Sequence, residues 1–222
     1  MSSQLFLTTI SSALAVGIIS AVSISVCQGE SLDSLNKDEE GNLNPMLKWW
    51  IILSVIHVGI VYGWSYLLFN YGIIKLNEEY DQWWEVIVYF FAYWIIFESW
   101  YTLCHFSQHK IRFFGIMTGH KGELSEKFHH GMKAPYGPDF LTAFSAHPID
   151  DFIVQQAAQF PWIISYFIGL STGYYFSMSY LTYGIIISWL VFVGMRAHTR
   201  KSFGGANPVS YTHLRAHETT NY

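Results

Sequence analysis

Charge is what this chain has least of. Asp, Glu, Lys and Arg make up 13% of its 222 residues, where an ordinary soluble domain carries about 25%, and that shortage excludes a water-exposed globule as the simplest reading. Cysteine is scarce too: only Cys27 and Cys104 are present, both at the ends of apolar runs, so they read as free thiols rather than a disulfide framework. No basic domain or aromatic-basic stripe is found, which argues against nucleic acid as a partner. No Lys or Arg precedes the first apolar run, so a secretory signal peptide, the alternative for that segment, lacks its usual basic start.

Apolar residues fill the gap. They account for 51% of the chain, and mean hydropathy is positive at +0.24. A spanning helix needs roughly 20 mostly apolar residues, and five stretches qualify: Leu5 to Val26, Trp49 to Leu68, Trp83 to Leu103, Phe152 to Leu170 and Tyr175 to Met195. The expected fold is therefore an all-α, polytopic membrane protein with four to five transmembrane helices. Gln155, Gln156, Gln159 and Pro161 interrupt the fourth stretch; polar groups at that depth must face protein or a cavity, so this segment is expected to line a pocket. Trp49, Trp50, Trp83 and Trp84 read as interfacial anchors. The polar stretch from Gly29 to Asn44 reads as a linker, which divides the chain into an N-terminal segment, 1–47, and a membrane domain, 48–208.

Basic residues set the expected orientation. Lys110, Arg112, Lys121, Lys127 and Lys133 lie between the third and fourth stretches, and Arg196, Arg200 and Lys201 follow the fifth. By the positive-inside tendency both groups belong in the cytoplasm. The N terminus then lies on the opposite side.

The chemistry gathers on that cytoplasmic face. His105 and His109 are four residues apart at the end of the third stretch, so on a helix both imidazoles leave from one face. His129 and His130 follow, and His147 and His198 lie beside the ends of apolar stretches. Neutral imidazole nitrogens suit zinc, copper or iron, and the set reads as a metal site, with His147 placed either to bind metal or to cap a turn. Glu126 shares a helical face with His129 and His130, as a ligand, a bridge or a carboxylate orienting a histidine. The alternative for Glu126 is a solvated loop residue. His120, between Gly119 and Lys121, reads as a surface histidine, and His57, alone within a span, as a hydrogen-bonded core residue.

The ordered set His105-x3-His109, then His129-His130-Gly-Met-Lys-Ala-Pro135, then Ala146-His147-Pro148-Ile-Asp150 resembles the fatty acid hydroxylase and sterol desaturase superfamily, and within it the 4-methylsterol monooxygenases. The resemblance covers roughly Glu98 to Pro208. It implies a cytoplasmic histidine-rich cap holding two non-haem iron ions, and oxidation of a membrane lipid, a sterol or acyl chain, by O2. It further implies electrons from NAD(P)H relayed by cytochrome b5 or a similar donor protein, and residence in the endoplasmic reticulum. The ligands it implies are His105, His109, His129, His130, His198 and His147, with Asp150 as a carboxylate behind them. An aliphatic C–H bond has no usable acidity, so the chemistry needs a metal–oxygen oxidant rather than acid–base side chains.

Two departures stand out. The family's second motif is H-x-x-H-H, and Glu126 occupies its first position, so one imidazole is replaced by a carboxylate. The third histidine cluster is absent as such; His213-Leu-Arg-Ala-His217 stands in its place. The segment Val209 to Thr219 coincides with one translation of a transposon-based sequencing-library adapter, so residues 209–222 are expected to be a non-native tail and the natural sequence to continue differently after about Pro208. On that expectation the chain as given is an inactive fragment of a lipid oxidase. A non-catalytic relative that binds lipid or a partner protein is the competing reading, and metal transport a further one.

Overall fold

The computed structural model describes residues 2–27, 47–122, 144 and 146–197. They form a helical protein: α1 (Ser2–Cys27), α2 (Leu47–Asn70), α3 (Trp83–Lys110), α4 (Arg112–Met117), α5 (Pro148–Ile153), α6 (Phe160–Thr172) and α7 (Tyr180–Ala197). Three helices, covering Ser3–Ile24, Leu47–Asn70 and Trp83–Lys110, are long and apolar enough to cross a membrane. Their outward faces are apolar as well. Val55, Ile95 and Leu103 are each more than 60% exposed, a surface that lipid rather than water would solvate.

The fourth apolar stretch is not one continuous helix. α5 ends at Ile153, a 3-10 turn runs through Gln155–Ala158, and α6 restarts at Phe160 with Pro161 in its first turn. Proline lacks the N–H that a helix interior needs and is tolerated at a helix start, so Pro161 allows α6 to begin there and disfavours a helix running through it. Thirteen residues of α6 rise about 20 Å, short of the roughly 30 Å hydrocarbon core. The fifth stretch begins later than expected, because Met178–Ser179 forms a short strand, β2, that pairs in parallel with β1 (Leu76–Asn77). Asp81 fixes this end of the molecule by accepting from Ser179 N at 2.8 Å and from the Thr182 hydroxyl.

α1 runs parallel to α7. Thr9 meets Gly184, Gly17 lies against Ser188 and Val191, and Ala21 packs with Phe192 and Met195. Phe6, Ile10, Ala13, Gly17 and Ala21 form the buried stripe, with the spacing of one helical face. A Cβ on Gly17 would stand 2.7 Å from the Ser188 carbonyl oxygen, so this contact is a small-residue approach of the kind that holds helices together in lipid. The main core, around Phe6, Leu68, Tyr93, Trp162, Met178 and Tyr183, joins α1, α2, α3, α6 and α7 toward the strand-bearing end. Cys27 and Cys104 are free thiols.

At the opposite end, α5 and the 3-10 turn are tied to α2 and α3. Asp151 Oδ1 lies 2.6 Å from His57 Nδ1, Gln108 Nε2 donates to Asp150 Oδ1 at 2.5 Å, and Trp100 Nε1 donates to the Ile153 carbonyl at 3.1 Å. Irregular backbone within a bundle of this kind is tolerated where side chains and neighbouring helices satisfy it. The four residues Gln108, Asp150, Asp151 and His57 are all buried.

Candidate metal site

The site begins with a helix that does not stop too early. α3 continues past its apolar run to Lys110, so His105 and His109 occupy its last turns and share a face. Their Nε2 atoms are 3.2 Å apart. Ile111 then leaves helical geometry (φ −90°, ψ 108°), and α4 starts in a new direction at Arg112.

α4 turns the chain back on itself. Gly119 adopts φ +74°, its N–H bonds the Ile116 carbonyl at 3.2 Å, and the N–H of His120 bonds the Gly115 carbonyl at 2.7 Å. This pair of bonds is a Schellman helix end, which calls for a left-handed residue at the glycine's position. Gly115 matters differently. A Cβ there would lie 2.4 Å from the Gln108 carbonyl oxygen, so only the missing side chain lets α4 lie directly on α3. Together the two glycines deliver His120 to the tip of α3.

His120 is therefore buried, 7% exposed, and not the surface histidine that its neighbours suggest. Its ring centroid is 5.2 Å from that of His105 and 5.6 Å from that of His109, while His105 and His109 are 4.7 Å apart. One nitrogen from each of the three rings lies within 4.8 Å of the others. Donors on one ion at bonds of about 2.1 Å lie about 3.0 to 3.4 Å apart, and the His105–His109 pair, at 3.2 Å, already has that separation. The triad could hold a metal ion. Tyr101 stacks on His105, with centroids 5.6 Å apart and planes 7° from parallel, which fixes the first ring of the set.

Among the other residues expected at the site, Glu126, His129, His130 and His198 lie outside the described residues. His147 is described, and it is the N-cap of α5: its Nδ1 accepts from Ile149 N at 3.1 Å. An accepting Nδ1 leaves the proton of the neutral ring on Nε2, and this is the turn-capping arrangement that the sequence offered beside metal binding for His147. Burial lowers the pKa of His147, with Asp151 opposing the shift, which favours that neutral form. Asp150 is fully buried beside the triad's helix, and burial, with Asp151 adding to it, raises its pKa to about 8 despite the bond from Gln108. A cation nearby would draw it back toward the ionised form. His57 is a buried, hydrogen-bonded residue held by Asp151.

Tyr101 also connects the triad to the interior. It lines a partly open cavity of about 170 Å³ between α1, α2, α3, the 3-10 turn and α7, with His57 and Glu98 in the same wall. Ala158 and Gln159 of the interrupted fourth stretch line it as well, the position expected of a polar segment at that depth.

No protein-family model matches the chain, and comparison with curated proteins and with solved structures returned no match.

Proposed function

We propose that this protein is a membrane-bound non-haem di-iron oxygenase of the fatty acid hydroxylase and sterol desaturase type, which hydroxylates or desaturates a lipid, with a 4-methylsterol as the candidate substrate. The observation that carries the reading is the convergence of His105, His109 and His120 at the end of an apolar helix, next to a cavity walled by apolar side chains. Three imidazoles suit a borderline metal such as iron. His120 supplies the imidazole that Glu126 fails to provide at the start of the second motif. His129, His130 and His198 are the further ligands, with Glu126 as a carboxylate donor.

Iron held there, with O2 and electrons from NAD(P)H through a cytochrome b5-like donor, would supply an oxidant strong enough for an aliphatic C–H bond. The protein's own part is positional. Twenty residues counted from the Trp83 and Trp84 anchors end near Thr102, so His105 and His109 fall just outside the hydrocarbon. There a lipid can approach from the bilayer and an electron donor from the cytoplasm, in keeping with a site on the cytoplasmic face of the endoplasmic reticulum. Tyr101 holds His105 and separates the triad from the cavity.

Two measurements test the reading together: metal analysis of the purified full chain, and lipid analysis of a strain lacking the gene. Iron at one to two ions per chain and accumulated 4-methyl sterols support it. Less than one ion per chain points instead to a non-catalytic lipid-binding relative.

Metal transport is favoured by one observation, the His57–Asp151 pair beside a discontinuous helix inside the bundle, since transporters place ion sites on broken helices near mid-membrane. The triad lies at a helix end instead. Proteoliposomes that take up radioactive iron or zinc would select transport.

A further inference from the structure

We propose that the cavity beside α3 is a binding site for a small organic ammonium ion with apolar substituents, with Glu98 as its counter-charge and Trp94, Phe97 and Tyr101 as its aromatic wall. This goes beyond the oxygenase reading and uses neither the histidine triad nor any metal.

Glu98 is the residue that lacks a partner. It lies within the apolar run of α3, half-buried, and lines the cavity, yet among the described residues it makes no ion pair and no hydrogen bond. A carboxylate at that depth is costly without a charge beside it, and ionisable residues inside a span therefore face the bundle interior or a cavity and find a partner there. The chain supplies none. No Lys or Arg of the described residues lines the cavity, and the histidine that does, His57, is held by Asp151 at 2.6 Å. The missing positive charge is left for a ligand to bring.

The same face of α3 surrounds that carboxylate with rings. Trp94 precedes Glu98 by one helical turn and Tyr101 follows it by three residues, spacings that share a face, and both line the cavity together with Phe97. The Phe97 and Tyr101 rings are nearly parallel, 11° apart with centroids separated by 6.0 Å. The outward side of these turns carries the exposed Ile95 and Leu103 instead. Aromatic faces attract cations, more strongly where water is removed, so one carboxylate among rings selects positive charge carried on an apolar body. A calcium or magnesium ion requires six or more oxygen ligands, which one carboxylate cannot supply.

The volume sets the size of the occupant. About 170 Å³ is close to the roughly 150 Å³ of a cavity that admits benzene, so the ligand is about one ring in size and smaller than a lipid. The partly open form of the cavity gives such a molecule a way in. A phosphatidylcholine headgroup carries an ammonium too, but it brings a phosphate beside it, and no Lys or Arg of the described residues stands in the wall to receive that anion. The occupant is therefore a free monocation.

The test is equilibrium dialysis of radiolabelled phenyltrimethylammonium against the purified full chain in an uncharged maltoside detergent. Two competitors accompany it: tert-butylbenzene, the uncharged isostere, and diheptanoylphosphatidylcholine. A quaternary nitrogen has no lone pair, so the probe cannot ligate a metal, and failure of the oxygenase reading leaves this result untouched. We expect saturable binding at one site per chain, with tert-butylbenzene at least tenfold weaker as a competitor. Glu98→Gln should weaken the cation at least tenfold, Trp94→Leu about threefold to thirtyfold, and Glu79→Gln, at an exposed position outside the cavity, not at all. Binding that never saturates, equal competition by the hydrocarbon, or a Glu98→Gln protein that binds as the parent does would overturn the proposal. Displacement by the phospholipid as effective as by unlabelled probe would overturn it as well, by assigning the site to a headgroup. If Glu98→Gln fails to fold, the comparison of cation and isostere on the parent chain decides alone.

Discussion

The imidazole of His120 packs edge-on against that of His105 at 5.2 Å between centroids, although a helix end, a second helix and a left-handed turn separate them along the chain. The metal reading depends on that meeting. His105 and His109 alone are a pair any apolar helix could carry; a third ring brought from another element makes a site.

Replacing His120 by Ala should lower affinity for iron or zinc by roughly a hundredfold or more, the scale expected when a ligand is lost rather than an outer partner. His147→Ala should leave metal affinity within a few-fold of the parent and cost about 1 kcal/mol of stability through the lost cap. Chelator competition and thermal unfolding on the same samples check both. Equal losses of metal in the two variants would place His147 among the ligands.

Gly115→Ala tests how the third ring is delivered. Its Cβ would fall 2.4 Å from the Gln108 carbonyl oxygen, so α4 must move away from α3 and carry His120 with it. We expect a loss of about 1–3 kcal/mol and a drop in metal affinity close to that of His120→Ala. Gly119→Ala, which strains a left-handed position, should cost about 1 kcal/mol with a smaller metal effect. A Gly115→Ala protein that binds metal normally would show that α4 does not position the site.

The histidine pair on α3 was legible in the sequence, because helical spacing alone puts His105 and His109 on one face. So was the special character of the fourth apolar stretch, where Gln155, Gln156, Gln159 and Pro161 broke the pattern. His120 was not. Gly119 and Lys121 beside it look like loop chemistry, and what buries the ring is the helix break at Ile111 and the close approach at Gly115, both products of tertiary packing. Gly119, two residues past the end of α4, was the one available signal, since it marks a helix end that turns the chain back. The pairing of His57 with Asp151 was equally hidden, because nothing local links residues so far apart in the chain.

Asp150 gives a pH test. Its pKa is raised to about 8 in the folded protein, by burial first and Asp151 next, against about 4 in the unfolded chain. Its contribution is then fully present below about pH 4 and is lost as pH rises toward 8, because the unfolded chain releases its proton while the folded one retains it. Metal-free protein should show a melting temperature that falls from pH 5 to 8, and Asp150→Asn should flatten that slope. A slope unchanged by the substitution would place the titrating group elsewhere.

The pair formed by His57 and Asp151 should behave as one unit. A double-mutant cycle with His57→Gln and Asp151→Asn, read by thermal or chemical unfolding in detergent, should give a coupling energy of about 0.5–3 kcal/mol. Additive effects would mean that the 2.6 Å contact does not hold α5 against α2.

X-ray absorption at the metal edge tests the central claim most directly, using the purified full chain loaded with iron. We predict at least one ion per chain, imidazole scattering from three or more rings at metal–nitrogen distances of about 2.0–2.2 Å, and loss of about one ring's contribution in His120→Ala. Sub-stoichiometric metal, or a spectrum without imidazole scattering, would contradict the account.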